Sequence, residues 1–108
     1  MIDKFQSMLD AGQDNAMLRF SLGNALVGEG RAAEAVEHLR AAVGHDPKYS
    51  AAWKLLGKAL AETGDHQAAI EAFDAGIAVA EARGDKQASK EMQVFRRRSQ
   101  KQLGGADG

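Results

Sequence analysis

The 108-residue chain has no cysteine, a single proline (Pro47) and only six aromatic residues in total. Each shortage removes a class of protein. Without thiols there is no disulfide framework, no cysteine-ligated zinc, no iron–sulfur cluster and no thiol catalysis. One proline and few aromatics, set against many alanines, do not fit the turn-punctuated pattern of a β-sandwich or barrel. No apolar run approaches the ~20 residues that span a bilayer. The opening MIDKFQSMLD mixes acids with its apolar residues, unlike a secretory leader, so the expected compartment is the cytoplasm. A formal net charge of −1 argues against a polyelectrolyte binder as a whole.

What is present is an ordinary folding composition, 44% hydrophobic and 27% charged, and an internal repeat. Residues 16–47 laid over 50–81 pair Leu22 with Leu56, Gly23 with Gly57, Leu26 with Leu60, Gly30 with Gly64, Ala35 with Ala69 and Glu37 with Glu71, a constant offset of 34. Val36/Ile70, Leu39/Phe73 and Val43/Ile77 are conservative exchanges at the same offset. A period in the range of ~20–50 residues marks a stacked array whose single unit cannot bury its apolar face alone.

Each unit reads as two helices. Trp53, Leu56, Gly57 and Leu60 share one helical face, and Leu22, Gly23 and Leu26 repeat it, with Arg19 in the place of Trp53. Gly30 and Gly64 suit helix ends, and Asp65 suits the next N-cap where the first unit has Arg31. Gly23 with Ala35, and Gly57 with Ala69, are the expected points of close backbone approach. Ile2, Phe5 and Leu9 lie 34 residues before Val36, Leu39 and Val43, so the first helix is expected to cap the array. After Gly84, Asp85 is expected to cap a last helix carrying Ala88, Met92, Phe95, Ser99 and Leu103 on one face. The expected helices lie near 2–9, 15–28, 31–44, 49–62, 66–83 and 86–102. They divide a single domain, 1–103, into an N-terminal cap (1–14), two repeats (16–47 and 50–83) and a solvating helix (85–103). Residues 104–108 are expected to form a disordered tail.

This pattern resembles the tetratricopeptide repeat, on the strength of Trp53, Leu56-Gly57, Ala69 and Phe73 in one unit and Leu22-Gly23, Ala35, Leu39, Ala42 and Pro47 in the other. Arg19 for the aromatic, Leu26 and Leu60 where tyrosine is common, Gly76 for alanine, and Glu81 for a second proline depart from it. The resemblance implies an all-α, antiparallel helix-pair solenoid, a right-handed superhelix of about six helices. It also implies a non-enzymatic protein-interaction module with no cofactor. Some relatives clamp a terminal carboxylate with lysines, asparagines and an arginine; only Asn24 matches here, because Phe20, Leu55, Asp85 and Ser89 hold the other places.

Stacked pairs form a concave face lined by their first helices. The expected groove residues are Met17, Phe20, Asn24 and Val27, then Ala51, Lys54, Lys58 and Glu62. If the last helix keeps the 34-residue register, Ala88, Met92 and Arg96 follow. Lys54, Lys58 and Arg96 would meet a carboxylate-rich or C-terminal peptide, and Phe20 or Met92 an apolar anchor.

Residues 1–82 carry seven bases and twelve acids, and residues 83–108 seven bases and three acids. A basic patch of Arg96, Arg97, Arg98 and Lys101 therefore offers a second reading, contact with nucleic acid or anionic lipid. A third is a homodimer through the last helix, where Met92, Val94 and Phe95 supply apolar surface. Against both stands a plain solvated helix face.

No chemistry of catalysis emerges. Gly28-Glu29-Gly30-Arg31-Ala32-Ala33 has the spacing of a dinucleotide loop but follows a helix. His38 and His45 stand seven residues apart, about 10.5 Å along a helix, too far to share a metal. Glu34 and His38 read as an i, i+4 supporting pair. Arg83-Gly84-Asp85 has the letters of an adhesion motif but is expected to end one helix and cap the next. No serine has an evident base in the sequence.

Overall fold

Periodic apolar positions and the turns between them produce six α-helices in the computed structural model, which describes residues 1–104. They are α1 (Ile2–Asp10), α2 (Ala16–Gly28), α3 (Ala32–His45), α4 (Ser50–Glu62), α5 (His66–Ala82) and α6 (Lys86–Gly104), and there is no strand among the described residues. Gly104 closes α6 instead of opening a tail; 105–108 lie outside the described residues. The turns form where the sequence places them. Gly30 and Gly64 take φ of +77° and +88°, a conformation costly for residues with a Cβ. Asn15, Asp65 and Asp85 accept from the backbone N–H groups of Leu18, Ala68 and Ala88 at 2.9, 3.2 and 3.1 Å. Arg31 offers no such cap and instead holds Glu34 at 2.6 Å. Glu34 is thereby bonded to Arg31 and not to the expected His38.

The chain stacks as consecutive antiparallel pairs, α2 on α3 and α4 on α5, with α6 against α5 and α1 against α2. One continuous core runs through them, including Leu22, Leu26, Leu39, Leu56, Leu60, Phe73 and Met92, and Ile2, Phe5 and Leu9 of α1 cover its end. Burial of such side chains contributes roughly 1.5–3 kcal/mol each, and short helices hold their form mainly through this packing.

Each glycine of the expected Gly23–Ala35 and Gly57–Ala69 pairs also makes room for a large side chain of the second helix. Gly57 faces the ring of Phe73, and Gly23 faces Leu39, in each case one turn further along the second helix. Ala35 and Ala69 are fully buried, but the space left by each missing Cβ is filled by a large side chain. The Leu39/Phe73 exchange thus repeats one knob-in-hole contact. A third such site joins the second repeat to the last helix: a Cβ on Gly76 would stand 2.5 Å from Met92 Sδ and 2.9 Å from Trp53 Cβ.

Trp53 also donates its indole N–H to the Pro47 carbonyl at 2.7 Å, and Arg83 donates to the Lys48 carbonyl at 3.1 Å. These two bonds pin the connector between repeats; Gly84, at φ +74°, ends α5 and Asp85 caps α6 as expected.

The last helix departs from the repeat. Where Pro47 limits α3 to His45, the second repeat has Glu81, and α5 continues to Ala82. α6 consequently starts at Lys86, 36 residues after Ser50 and two more than the repeat length. Met92 takes the buried place of Leu56, also 36 residues earlier, and the rest of α6 turns with it. Its seam is Ala88, Ser89, Met92, Phe95 and Ser99; Leu103 lies one turn past Ser99, which already meets the first residue of α5, and is 53% exposed.

Candidate functional site

Residues of α2, α4 and α6, with two from α5, enclose the main cleft, of about 680 Å³. Val27, Ala61 and Phe95 supply its apolar surface over the buried ring of Phe73, and Lys58, Glu62, His66, Arg98 and Gln102 its polar groups. Phe95 is central. Its ring lies near-parallel to that of Phe73, with centroids 5.9 Å apart. Lys58 Nζ stands 5.0 Å and Arg98 Cζ 5.5 Å from the centre of the same ring, within cation–π range. A smaller hollow of about 380 Å³ adjoins it, sharing Lys58, Phe95 and Arg98 and adding Lys54, Glu91 and Val94. Lys54 pairs with Glu91 at 3.2 Å, which ties α4 to α6.

Of the expected groove residues, Val27, Lys54, Lys58 and Glu62 line these hollows. Met17 and Asn24 are exposed on α2, and Ala51 on α4, outside them; Phe20 is half-buried and packs on Tyr49 with ring centroids 5.0 Å apart. The α6 positions require correction. Met92 is fully buried against Gly76 and belongs to the core. Ala88 packs on the core. Arg96 reaches across the other side of α6 to Asp74 of α5 at 2.5 Å and to Gln100 at 3.1 Å. With α6 displaced and turned, Glu91, Val94, Phe95 and Arg98 line the groove in place of Ala88, Met92 and Arg96.

That rotation also divides the basic run. Arg96 is bonded to α5, Arg98 lies in the groove, and Arg97 and Lys101 are exposed. Consecutive residues of a helix do not share a face. The apolar surface expected for self-association is similarly reduced, because Met92 is buried and Phe95 packs on Phe73, leaving Val94 and Leu103.

Two polar arrangements escaped the sequence. His66 Nδ1 lies 3.1 Å from Ser99 Oγ at one end of the cleft, 33 residues apart in the chain. The Ser99 residue is 2% exposed, so this contact clips α6 to the start of α5. The second is built on Arg19, which occupies the tryptophan position of the first repeat. Its guanidinium donates two bonds to Asp14, at 2.8 and 3.0 Å, and a third to His38 Nδ1 at 3.0 Å. Arginine has no acceptor, so His38 accepts as a neutral ring with its proton on Nε2. Burial and then the Arg19 charge push the His38 pKa below its ordinary value. His45 Nε2 completes the cluster at 3.0 Å from Asp14, and hydrogen bonding from Arg19 is the main cause holding the Asp14 carboxyl at about 2. His38 and His45, read from their spacing as unrelated, are thus both engaged by one cluster. Among the described residues no group of three or more acidic or histidine side chains is arranged to hold a metal.

Two stacked helix pairs with Leu-Gly seams and a groove on their first helices agree with the family comparison: a tetratricopeptide-repeat model matches residues 20–88. The chain belongs to the tetratricopeptide-repeat family. A TPR repeat-containing protein of Pseudomonas aeruginosa is 52% identical over 98 residues, covering 91% of this chain and 93% of that protein. A Bordetella parapertussis protein solved in solution superposes with a TM-score of 0.78 at 44% identity, over 94% of this chain and 88% of its own. The TPR domain of Sgt2 from Aspergillus fumigatus does so with a TM-score of 0.80 at 30% identity, over 97% of this chain and 70% of its own. Tetratricopeptide repeats are protein-interaction scaffolds, and that general role extends to this chain. Among the described residues no helix is long and apolar enough to cross a membrane.

Proposed function

We propose that this chain is a cytoplasmic adaptor without covalent chemistry, which holds a peptide or helical segment of another protein in the groove between α2, α4 and α6. The observation that carries the reading is the Phe95 ring in the main cleft, flanked by Lys58 and Arg98 and adjoined by Val27, Ala61 and Phe73. An apolar seat with a few fixed polar groups is the usual composition of a recognition pocket. The flanking lysine and arginine heads are held on an aromatic face, so less side-chain entropy is lost when a ligand engages them.

Site-directed crosslinking tests this. A photoreactive phenylalanine analogue at Glu62, exposed in the cleft, should capture a segment of a partner protein in cells that make the chain. The same group at Glu71, exposed on α5 outside that cleft, should not. Equal capture from both positions, or capture from Glu71 alone, rejects the groove.

A further inference from the structure

We infer that the groove selects an internal acidic side chain, carried by a ligand chain that continues on both sides of it, and that Lys58 and Arg98 read this carboxylate above Phe95. The inference rests on the groove being the binding face and adds the chemistry that the face accepts.

The first support is charge. Lys58 Nζ and Arg98 Cζ lie 5.0 and 5.5 Å from one ring centre and line the same two hollows, so a carboxylate bound there meets two positive charges. Among the described residues neither joins a salt bridge, whereas Arg19, Arg31, Lys54 and Arg96 each do. The second support is shape. The hollows of about 680 and 380 Å³ share Lys58, Phe95 and Arg98, which therefore form a saddle between them. A chain ending at the saddle would leave one hollow empty; a chain crossing it fills both. In an extended segment residues i and i+2 share a face about 7 Å apart. An apolar side chain two positions before the acid can thus enter the larger hollow against Val27 and Ala61 while the acid meets the cations.

The third support is the placement of acids. Glu62 lines the larger hollow and Glu91, held by Lys54, lines the smaller one. Glu62 opposes an anion deep in the larger hollow and, among the described residues, the Lys54–Glu91 pair leaves Lys58 and Arg98 as the unpaired cations of the smaller one, which directs the ligand's acid to the saddle.

Two acetylated, amidated twelve-residue peptide libraries test the inference, one with a fixed central Leu-x-Glu and the other with Leu-x-Gln, randomised elsewhere and measured by fluorescence anisotropy. The full chain should bind the Glu library tighter by about ten-fold, the scale of one charge-assisted hydrogen bond. The double variant Lys58→Gln, Arg98→Gln should bind both libraries alike, with unchanged helical circular dichroism. Equal binding of the two libraries by the unaltered chain, with both crosslinking to the analogue at Glu62, overturns carboxylate selection and leaves the groove standing. A preference that survives the double variant also overturns it. Tighter binding by peptides cut to a free carboxylate after the glutamate assigns the cations to a chain end and removes the internal-residue reading. Absence of binding and of crosslinking by either library counts against the groove itself and the selection with it.

Discussion

Gly57 of α4 and Phe73 of α5 share one volume: a Cβ on Gly57 would stand 2.5–2.7 Å from three atoms of the phenyl ring. The first repeat holds the same relation between Gly23 and Leu39, where the nearest atoms, at 2.6 and 2.7 Å, belong to a branched aliphatic side chain. A buried ring between packed helices has few ways to yield, whereas leucine can turn about its own bonds. Gly57→Ala should therefore destabilise the protein by about 1–3 kcal/mol through overpacking, and Gly23→Ala by less. Gly44, near the end of α3, has nothing within 4 Å of a built Cβ. Gly44→Ala should gain up to about 1 kcal/mol from helix propensity. Urea unfolding midpoints check all three, and a Gly57→Ala protein as stable as the unaltered chain would remove the knob-in-hole account.

Much of this architecture was legible because it rests on local signals repeated at fixed spacing. Helix ends at Gly30 and Gly64, caps at Asp65 and Asp85, and the cover formed by Ile2, Phe5 and Leu9 all follow from a few neighbouring residues and the 34-residue ruler. The ruler fails where the chain changes length. Loss of the second proline was visible at Glu81, and so were a longer α5 and an α6 beginning at 86; the turn of the α6 faces that follows depends on how α6 packs against α5 and was not. That rotation moves Phe95 and Arg98 into the groove and Met92 and Arg96 out of it. Contacts between distant polar residues, such as His66 with Ser99 or Arg19 with His38, leave no periodic trace and were not legible.

Met92 separates the two readings of α6. As a fully buried residue against Gly76 and beside the core, its truncation leaves a cavity as well as losing apolar burial. Met92→Ala should cost about 2–5 kcal/mol. Hydrogen exchange should show the loss first in α6, the end element of the stack, whose amides should exchange faster while those of α2 and α3 keep their protection. An exposed groove methionine would give a change within about 0.5 kcal/mol on truncation.

The three consecutive arginines should behave as three unrelated residues. Arg96→Gln removes an ion pair with Asp74 in which both partners are partly exposed, so the expected loss is below about 1 kcal/mol. Arg98→Gln should leave the melting temperature nearly unchanged and weaken ligand capture at the groove. Arg97→Gln should do neither. If the run instead formed one anion-binding surface, each substitution would reduce affinity for duplex DNA by a similar factor and flatten its salt dependence alike. Titration of the three variants with a short duplex at two salt concentrations distinguishes these outcomes.

The Asp14–Arg19–His38 cluster predicts an acid-sensitive first repeat. His38 accepts from Arg19 only when neutral, and its folded pKa lies below the ordinary 6.5. The unfolded chain then binds more protons at this site between the two values, so stability rises with pH across that window. The His38 contribution is complete above about 6.5 and is lost as pH falls toward the folded value. Asp14 acts in a lower window: its carboxyl titrates at about 2 in the fold against 3.8 ordinarily, and its contribution disappears as pH falls from 3.8 through 2. Melting temperatures recorded from pH 2 to pH 8 should show both losses in the unaltered chain. His38→Gln, whose amide oxygen can accept from Arg19 at any pH, should flatten the upper limb alone. Asp14→Asn should flatten the lower limb and depress the plateau, because one neutral amide oxygen cannot answer both arms of the Arg19 fork. Parallel curves for the unaltered chain and both variants would show that the cluster does not couple protonation to folding.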